Sequence, residues 1–108
     1  MSNAHPWLDQ IPWTTKKLPR DMLEHRIQRA LTHTNLGMLG TLGLNGPIVS
    51  PLEFYADKFS VYVLPQPGSP KLKAMQRDPR VSFAVANPMA GWVTAQGAQL
   101  FGNAEILE

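Results

Sequence analysis

The spacing of hydrophobic positions changes once along this chain, near residue 36. Over 18–35, LPRDMLEHRIQRALTHTN, the residues Met22, Leu23, Ile27, Ala30 and Leu31 recur at helical spacing and form one apolar stripe. Pro19 suits the first helical position, Asp21 and Glu24 suit the positive end of the helix dipole, and Asn35 with Gly37 supplies a stop. From 36 to 65, LGMLGTLGLNGPIVSPLEFYADKFSVYVLP loses that period and predicts three strands, with turns at Asn45-Gly46 and Asp57-Lys58. Gly37, Gly40 and Gly43 in or beside the first strand imply tight curvature or close backbone approach. Pro51 has no N–H for a ladder, so the second strand is an edge strand or is kinked.

Three prolines and a glycine interrupt the apolar run after Val63. PKLKAMQRD (70–78) then predicts a short helix, closed where Pro79 disfavours helix in the residue before it. RVSFAVAN (80–87) alternates as a strand, PMAG (88–91) is a turn, and 92–107 is a long strand or hairpin bent at Gly97 or Gly102. Residues 1–17 show no period but carry Trp7 and Trp13, so they are expected to form an arm docked on the body or on a second subunit. The domain proper is 18–108. Consecutive antiparallel strands with glycine bends predict a mainly β (α+β) fold: a small antiparallel barrel with an N-terminal helix and one short helix between strands.

Composition narrows the function classes. A chain of 108 residues makes one domain, and at this size folding buries about two-thirds of the unfolded surface. With 44% apolar and 17% charged residues the chain has a globular profile. A net charge of +2 does not hold off a second copy, and dimerisation would add burial. The small positive excess without a basic run suits a small anionic ligand better than nucleic acid. The chain has no cysteine, which excludes disulfides, thiolate metal sites and thiol catalysis, and fits a reducing compartment. No run approaches the roughly 18 apolar residues of a membrane span. The first ten residues lack the order of a signal peptide, so a cytoplasmic location is expected.

One place invites an anion. Ser69 sits at an N-cap with Pro70 at the first helical position, and such a start leaves backbone N–H groups free where the dipole favours negative charge. Lys71 and Lys73 add charge there, and Arg77 or Arg80 could reach in from farther along. The same Ser-Pro pair starts helices that bind nothing, and lysines usually face water. Other chemistries lack a team. His5, His25 and His33 share no metal-ligand spacing, and there is no nucleophile motif, no Walker loop and no paired carboxylates. Glu53 reads as an outward-facing edge residue or a buried functional carboxylate, and Trp92 as a packing residue or a ring for stacking. Catalytic residues are therefore unassigned and no metal site is expected. A bound flavin would need no such team, because the protein then supplies binding and orientation.

The chain resembles the pyridoxamine 5′-phosphate oxidase-like, FMN-binding split-barrel family. The resemblance rests on LGTLGLNGPIVSPLEFY (39–55), FSVYVLPQPGSPKLKAMQRDPRVSFAVANP (59–88) and GWVTAQGAQLFGNAEI (91–106). Its most specific part is a strand, Gly-Ser-x-Lys, a short helix, Asp-Pro-Arg-Val and another strand. It implies that Ser69 and Lys71 hold the FMN phosphate. It also implies that Ser50, Leu52 and Glu53 on the second strand frame the flavin ring, and that Val63 and Leu64 lie near the ribityl chain and phosphate. Trp92 would lie close to the flavin, and a homodimer would hold each cofactor between subunits. The activity it implies is flavin-dependent oxidoreduction of a small molecule. Alternatives are the same barrel around a deazaflavin or haem, or a cofactor-free dimer with a binding or structural role. VSPLEFY lacks the arginine that classical oxidases carry on this strand, and Leu64 stands where they have a hydroxyl. The C-terminal strand and helix that relatives carry are not expected within 18–108, which argues against pyridoxamine phosphate oxidation itself.

Overall fold

The change of period near residue 36 is where helix gives way to sheet. The computed structural model of the chain describes residues 17–87 and 96–107. Its elements are α1 (Arg20–Thr32), β1 (Leu36–Gly43), β2 (Gly46–Glu53), β3 (Tyr55–Asp57), β4 (Ser60–Tyr62), α2 (Pro70–Arg77), β5 (Arg80–Ala86) and β6 (Gly97–Asn103). Strands β2-β1-β5-β6 form one antiparallel sheet in that order, and β3-β4 form a second of two strands. The predicted arm at 1–17 lies outside the described residues except for Lys17, and the turn at 88–91 with Trp92 also lies outside them.

The core follows from the alternation of strand side chains. Leu31, Leu39, Phe54, Met75, Phe83 and Val85 form one buried cluster, drawn from α1, β1, β5, α2 and the break between the two sheets. Gly37 faces this cluster because a Cβ there would lie 2.2 Å from the Phe83 ring, so only glycine leaves room for it. This is the close approach expected of the glycines in β1. Only the C-terminal half of the α1 stripe is covered: Leu31 is buried, Ile27 and Ala30 pack against the core, and Met22 and Leu23 are exposed.

Three boundaries differ from the sequence expectation, each for a local reason. Helix α1 stops at Thr32 rather than near Asn35, and the Thr32 hydroxyl donates back to the carbonyls of Gln28 and Arg29. The predicted second strand is two strands. At Phe54 the chain leaves the large sheet, its N–H donating to Asn35 O at 3.0 Å while its ring turns into the core. The turns fall one residue from their predicted centres. Leu44-Asn45 bridges β1 and β2, with Gly46 (φ 129°) opening β2, and Lys58-Phe59 bridges β3 and β4, with Lys58 left-handed at φ 56°. Pro51 does lie on an edge strand, since among the described residues β2 pairs with β1 alone.

Candidate functional site

The loop after β4 leads to the start of α2, and its backbone conformation is set by two residue types. Gly68 adopts φ 75°, a region closed to most side chains. Ser69 follows in extended conformation as the N-cap, and its Oγ accepts from Leu72 N at 3.4 Å. Its own N–H donates to Gln66 O and its carbonyl accepts from Lys73 N, each at 3.1 Å. Pro70 occupies the first helical position, where a missing N–H costs nothing. Ala74 and Met75, both buried, seat the helix on the sheet.

This leaves a defined set of groups at the helix start. The Ser69 hydroxyl hydrogen, the Lys71 backbone N–H and the Lys71 ammonium have no partner among the described residues. Lys71 and Ser69 are half-buried, and the first turn holds no acidic residue. Two hydrogen-bond donors and a cation with no anion beside them fit a phosphate dianion. Arg77 and Arg80 do not join them. The Arg77 guanidinium donates to Leu42 O at the far end of α2. Arg80 grips Asp78, with Nε and Nη2 donating to its carboxylate at 3.1 and 2.7 Å and the Arg80 N–H adding a third bond at 3.1 Å. The side-chain hydrogen bonds from Arg80, then its backbone N–H, hold the Asp78 carboxyl down at about 2.

The remaining candidates lie on either face of the sheet. Ser50 and Leu52 are half-buried on the core face of β2, opposite Leu39 and Gly37 of β1. Glu53 is exposed on the other face, opposite Leu36. These three side chains therefore do not converge, and a ring beside β2 would meet its backbone edge. Val63 packs against the core, whereas Leu64 is 99% exposed. His25 lies on α1 and His33 caps it, so among the described residues no histidine lies in a strand, and no group of acidic residues and histidines could hold a metal. No described helix is long and apolar enough to cross a membrane.

One feature of the site region was not read from the sequence. The sheet face turned away from the core carries a row running across all four strands, Val49, Gly40, Ser82 and Phe101, with Pro51, Met38, Ala84 and Gln99 in the next row. Val49 and Phe101 are 69% and 79% exposed, so this shallow apolar trough is open in the single chain. Apart from Thr41, strand β1 is apolar on both faces, so alternation alone gave no sign of a second apolar surface. The prolines of β2 add to this. Across a two-residue turn Gly43 and Gly46 form the hydrogen-bonded pair, so Pro47 and Pro51 fall in pairs whose N–H groups point to the free edge. That edge therefore lacks two donors and resists strand addition.

Comparison with known proteins gives a consistent picture. The family model described as Pyridoxamine 5'-phosphate oxidase matches residues 23–108. No curated protein matches. Among solved structures, the conserved hypothetical protein Rv2991 from Mycobacterium tuberculosis is similar at a TM-score of 0.68 and 24% identity, over 85% of this chain and 55% of that one. A heme binding protein from Mycobacterium smegmatis is similar at 0.66 and 25% identity, over 79% and 37%. A FAD-binding protein from Mesorhizobium loti is similar at 0.54 and 29% identity, over 60% and 47%. The chain thus spans between about a third and just over half of these relatives. The two sheets and two helices among the described residues, with this likeness, make the fold an α+β split barrel.

Proposed function

The chain belongs to the pyridoxamine 5′-phosphate oxidase family, and from that membership we propose that it binds FMN and serves as a flavin-dependent oxidoreductase acting on a small molecule. The observation that carries this reading is the half-buried, unpartnered Lys71 beside the capped Ser69 at the start of α2. Lys71 and Ser69 hold the phosphate, the backbone edge of β2 from Ser50 to Glu53 frames the ring, and Val63 and Leu64 flank the ribityl chain. Trp92 covers the ring. FMN supplies the electron transfer when bound, and the residues named here bind and orient it.

The active form in this reading is a homodimer. A second copy covers the trough formed by Val49, Gly40, Ser82 and Phe101, and closes the cofactor site at the subunit interface. The open apolar face supports this, and so does the β2 edge, whose missing donors disfavour an edge-to-edge assembly. The protein is expected to act in the cytoplasm, with no nucleic-acid or membrane partner.

Haem is the second reading, favoured by the likeness to the heme binding protein from Mycobacterium smegmatis. The absence of a strand histidine among the described residues weighs against it. A deazaflavin in the flavin site, or a cofactor-free dimer, would leave the same fold. One titration separates these readings. FMN added to the purified protein is expected to lose its fluorescence at one equivalent per chain. An intense band near 400 nm with added haem and none of the flavin response would overturn the flavin reading in favour of haem. Indifference to both would leave the deazaflavin and cofactor-free readings, which the same titration with a deazaflavin then separates.

A further inference from the structure

A long-range side-chain hydrogen bond joins the far end of α2 to β1. Arg77 donates to the carbonyl of Leu42, 35 residues away in sequence. Strand register explains why that carbonyl is open. Leu42 lies opposite Pro47 in a pair that exchanges no ladder bonds, so its carbonyl points away from β2 and toward β5. The register between β1 and β5 covers Met38, Leu39 and Gly40 and ends before Leu42. Arg77 thus supplies a donor to a carbonyl that the ladder leaves without one.

The consequence falls at the other end of the helix. Helix α2 has eight residues and rests on the sheet through Ala74 and Met75, near its middle. The chain after α2 enters β5 at Arg80, with the Pro79 carbonyl accepting from Ala104 N at 2.7 Å, and the Arg77 bond to Leu42 adds a separate tie from the end of the helix to β1. Ser69 is about 7 Å from Ala74 along the axis, so a tilt of about 10° would move the helix start by about 1 Å. A binding constellation tolerates roughly 0.5 Å. We infer that Arg77 is a positioning residue for phosphate recognition: by holding the C-terminal end of α2 to Leu42 it sets the tilt that aims Ser69 and Lys71. This inference rests on the FMN reading above.

The test compares two ligands that differ by the phosphate alone. Affinities for FMN and riboflavin are measured by fluorescence quenching on the full chain. Wild type is expected to prefer FMN. Arg77→Met is expected to lower that preference at least fivefold while leaving riboflavin affinity unchanged. Arg77→Lys, which keeps a donor and the charge, recovers most of it. The loss should persist in about 0.5 M salt, where charges act over less than about 5 Å, because it arises from position and not from the distant charge. A preference unchanged in Arg77→Met, an equal loss for both ligands, or a loss abolished by salt would each overturn the inference and leave the FMN reading standing. A wild type with no preference for FMN would overturn both. Should Arg77→Met fail to fold, Arg77→Leu, which also lacks a donor, carries the same comparison.

Discussion

Phe54 and Phe83 meet edge to face, with ring centroids 4.9 Å apart and planes at 72°. Phe83 comes from the centre of the large sheet, and Phe54 from the point where the chain leaves it for the β3-β4 pair. The contact is therefore the hinge of the fold, and Gly37 is what leaves it room.

Removing either partner should show this. Phe83→Ala is expected to lower stability by about 3–5 kcal/mol, the range for a buried aromatic truncation. Gly37→Ala should cost about 1–3 kcal/mol by overpacking against the same ring. Because the two act on one space, Gly37→Ala is expected to cost less in a Phe83→Leu background. Denaturant midpoints of wild type, Gly37→Ala, Phe83→Leu and the double variant decide it, and a strictly additive result would mean the ring does not limit residue 37.

Thr41 offers the opposite sign. Its side chain is buried on the core face of β1, and its hydroxyl has no partner among the described residues. An unmade hydrogen bond of this kind destabilises by about 1–3 kcal/mol. Thr41→Val keeps the shape and removes the hydroxyl, so the melting temperature should rise. A fall would show that the hydroxyl is satisfied in solution.

The Asp78–Arg80 pair predicts a pH response. A carboxyl held at about 2 by Arg80, against an ordinary value of about 3.9, contributes stability that is complete above about pH 4 and is lost as pH falls through 2. Carboxyl chemical shifts should place the Asp78 midpoint near 2 in wild type and near the ordinary value in Arg80→Gln. The same variant should lose less stability than wild type between pH 4 and pH 2.

Much of this architecture is legible in the residues. Helical spacing placed α1, Ser69-Pro70 placed the start of α2, and Pro51 narrowed its strand to an edge or kinked one, of which the structure has the edge. The sequence blurred where two signals overlapped. Asn45-Gly46 suggested a turn centred one residue late, because Gly46 serves the first strand position instead of the turn. Phe54 looked like another strand residue, since nothing local marks a side chain that leaves one sheet to pack under another. Arg77 was legible as a cation but not as a ligand of Leu42, because that partner depends on where the β1–β5 register ends.

At the helix start, two substitutions separate folding from binding. Ser69→Ala removes the cap and should cost about 1 kcal/mol of stability as well as weaken FMN. Lys71→Ala removes no hydrogen-bonded or ion-paired group and only part of a half-buried side chain, so FMN affinity should fall at least tenfold while the melting temperature falls by less than in Ser69→Ala. Equal FMN affinity in Lys71→Ala would remove the clamp.

The trough on the outer sheet face makes the last prediction. Its row places Gly40 and Ser82 between the larger Val49 and Phe101, and spans three strand spacings, about 14 Å. A Cβ on Gly40 would lie 2.5 Å from Ser82 Oγ, so the floor of the trough is as low as chemistry allows. Raising that floor or charging its rim should oppose a second copy without touching the core cluster on the opposite face. Val49→Glu and Phe101→Glu are each expected to turn a dimer into a monomer in light scattering, with the helical and strand signals of circular dichroism retained. Because the proposed cofactor site is closed by the partner subunit, both variants should also weaken FMN binding, whereas Glu53→Gln, opposite Leu36 at the end of the sheet, should leave the dimer intact. Dimers that persist in both glutamate variants would place the interface elsewhere and leave the trough without an occupant.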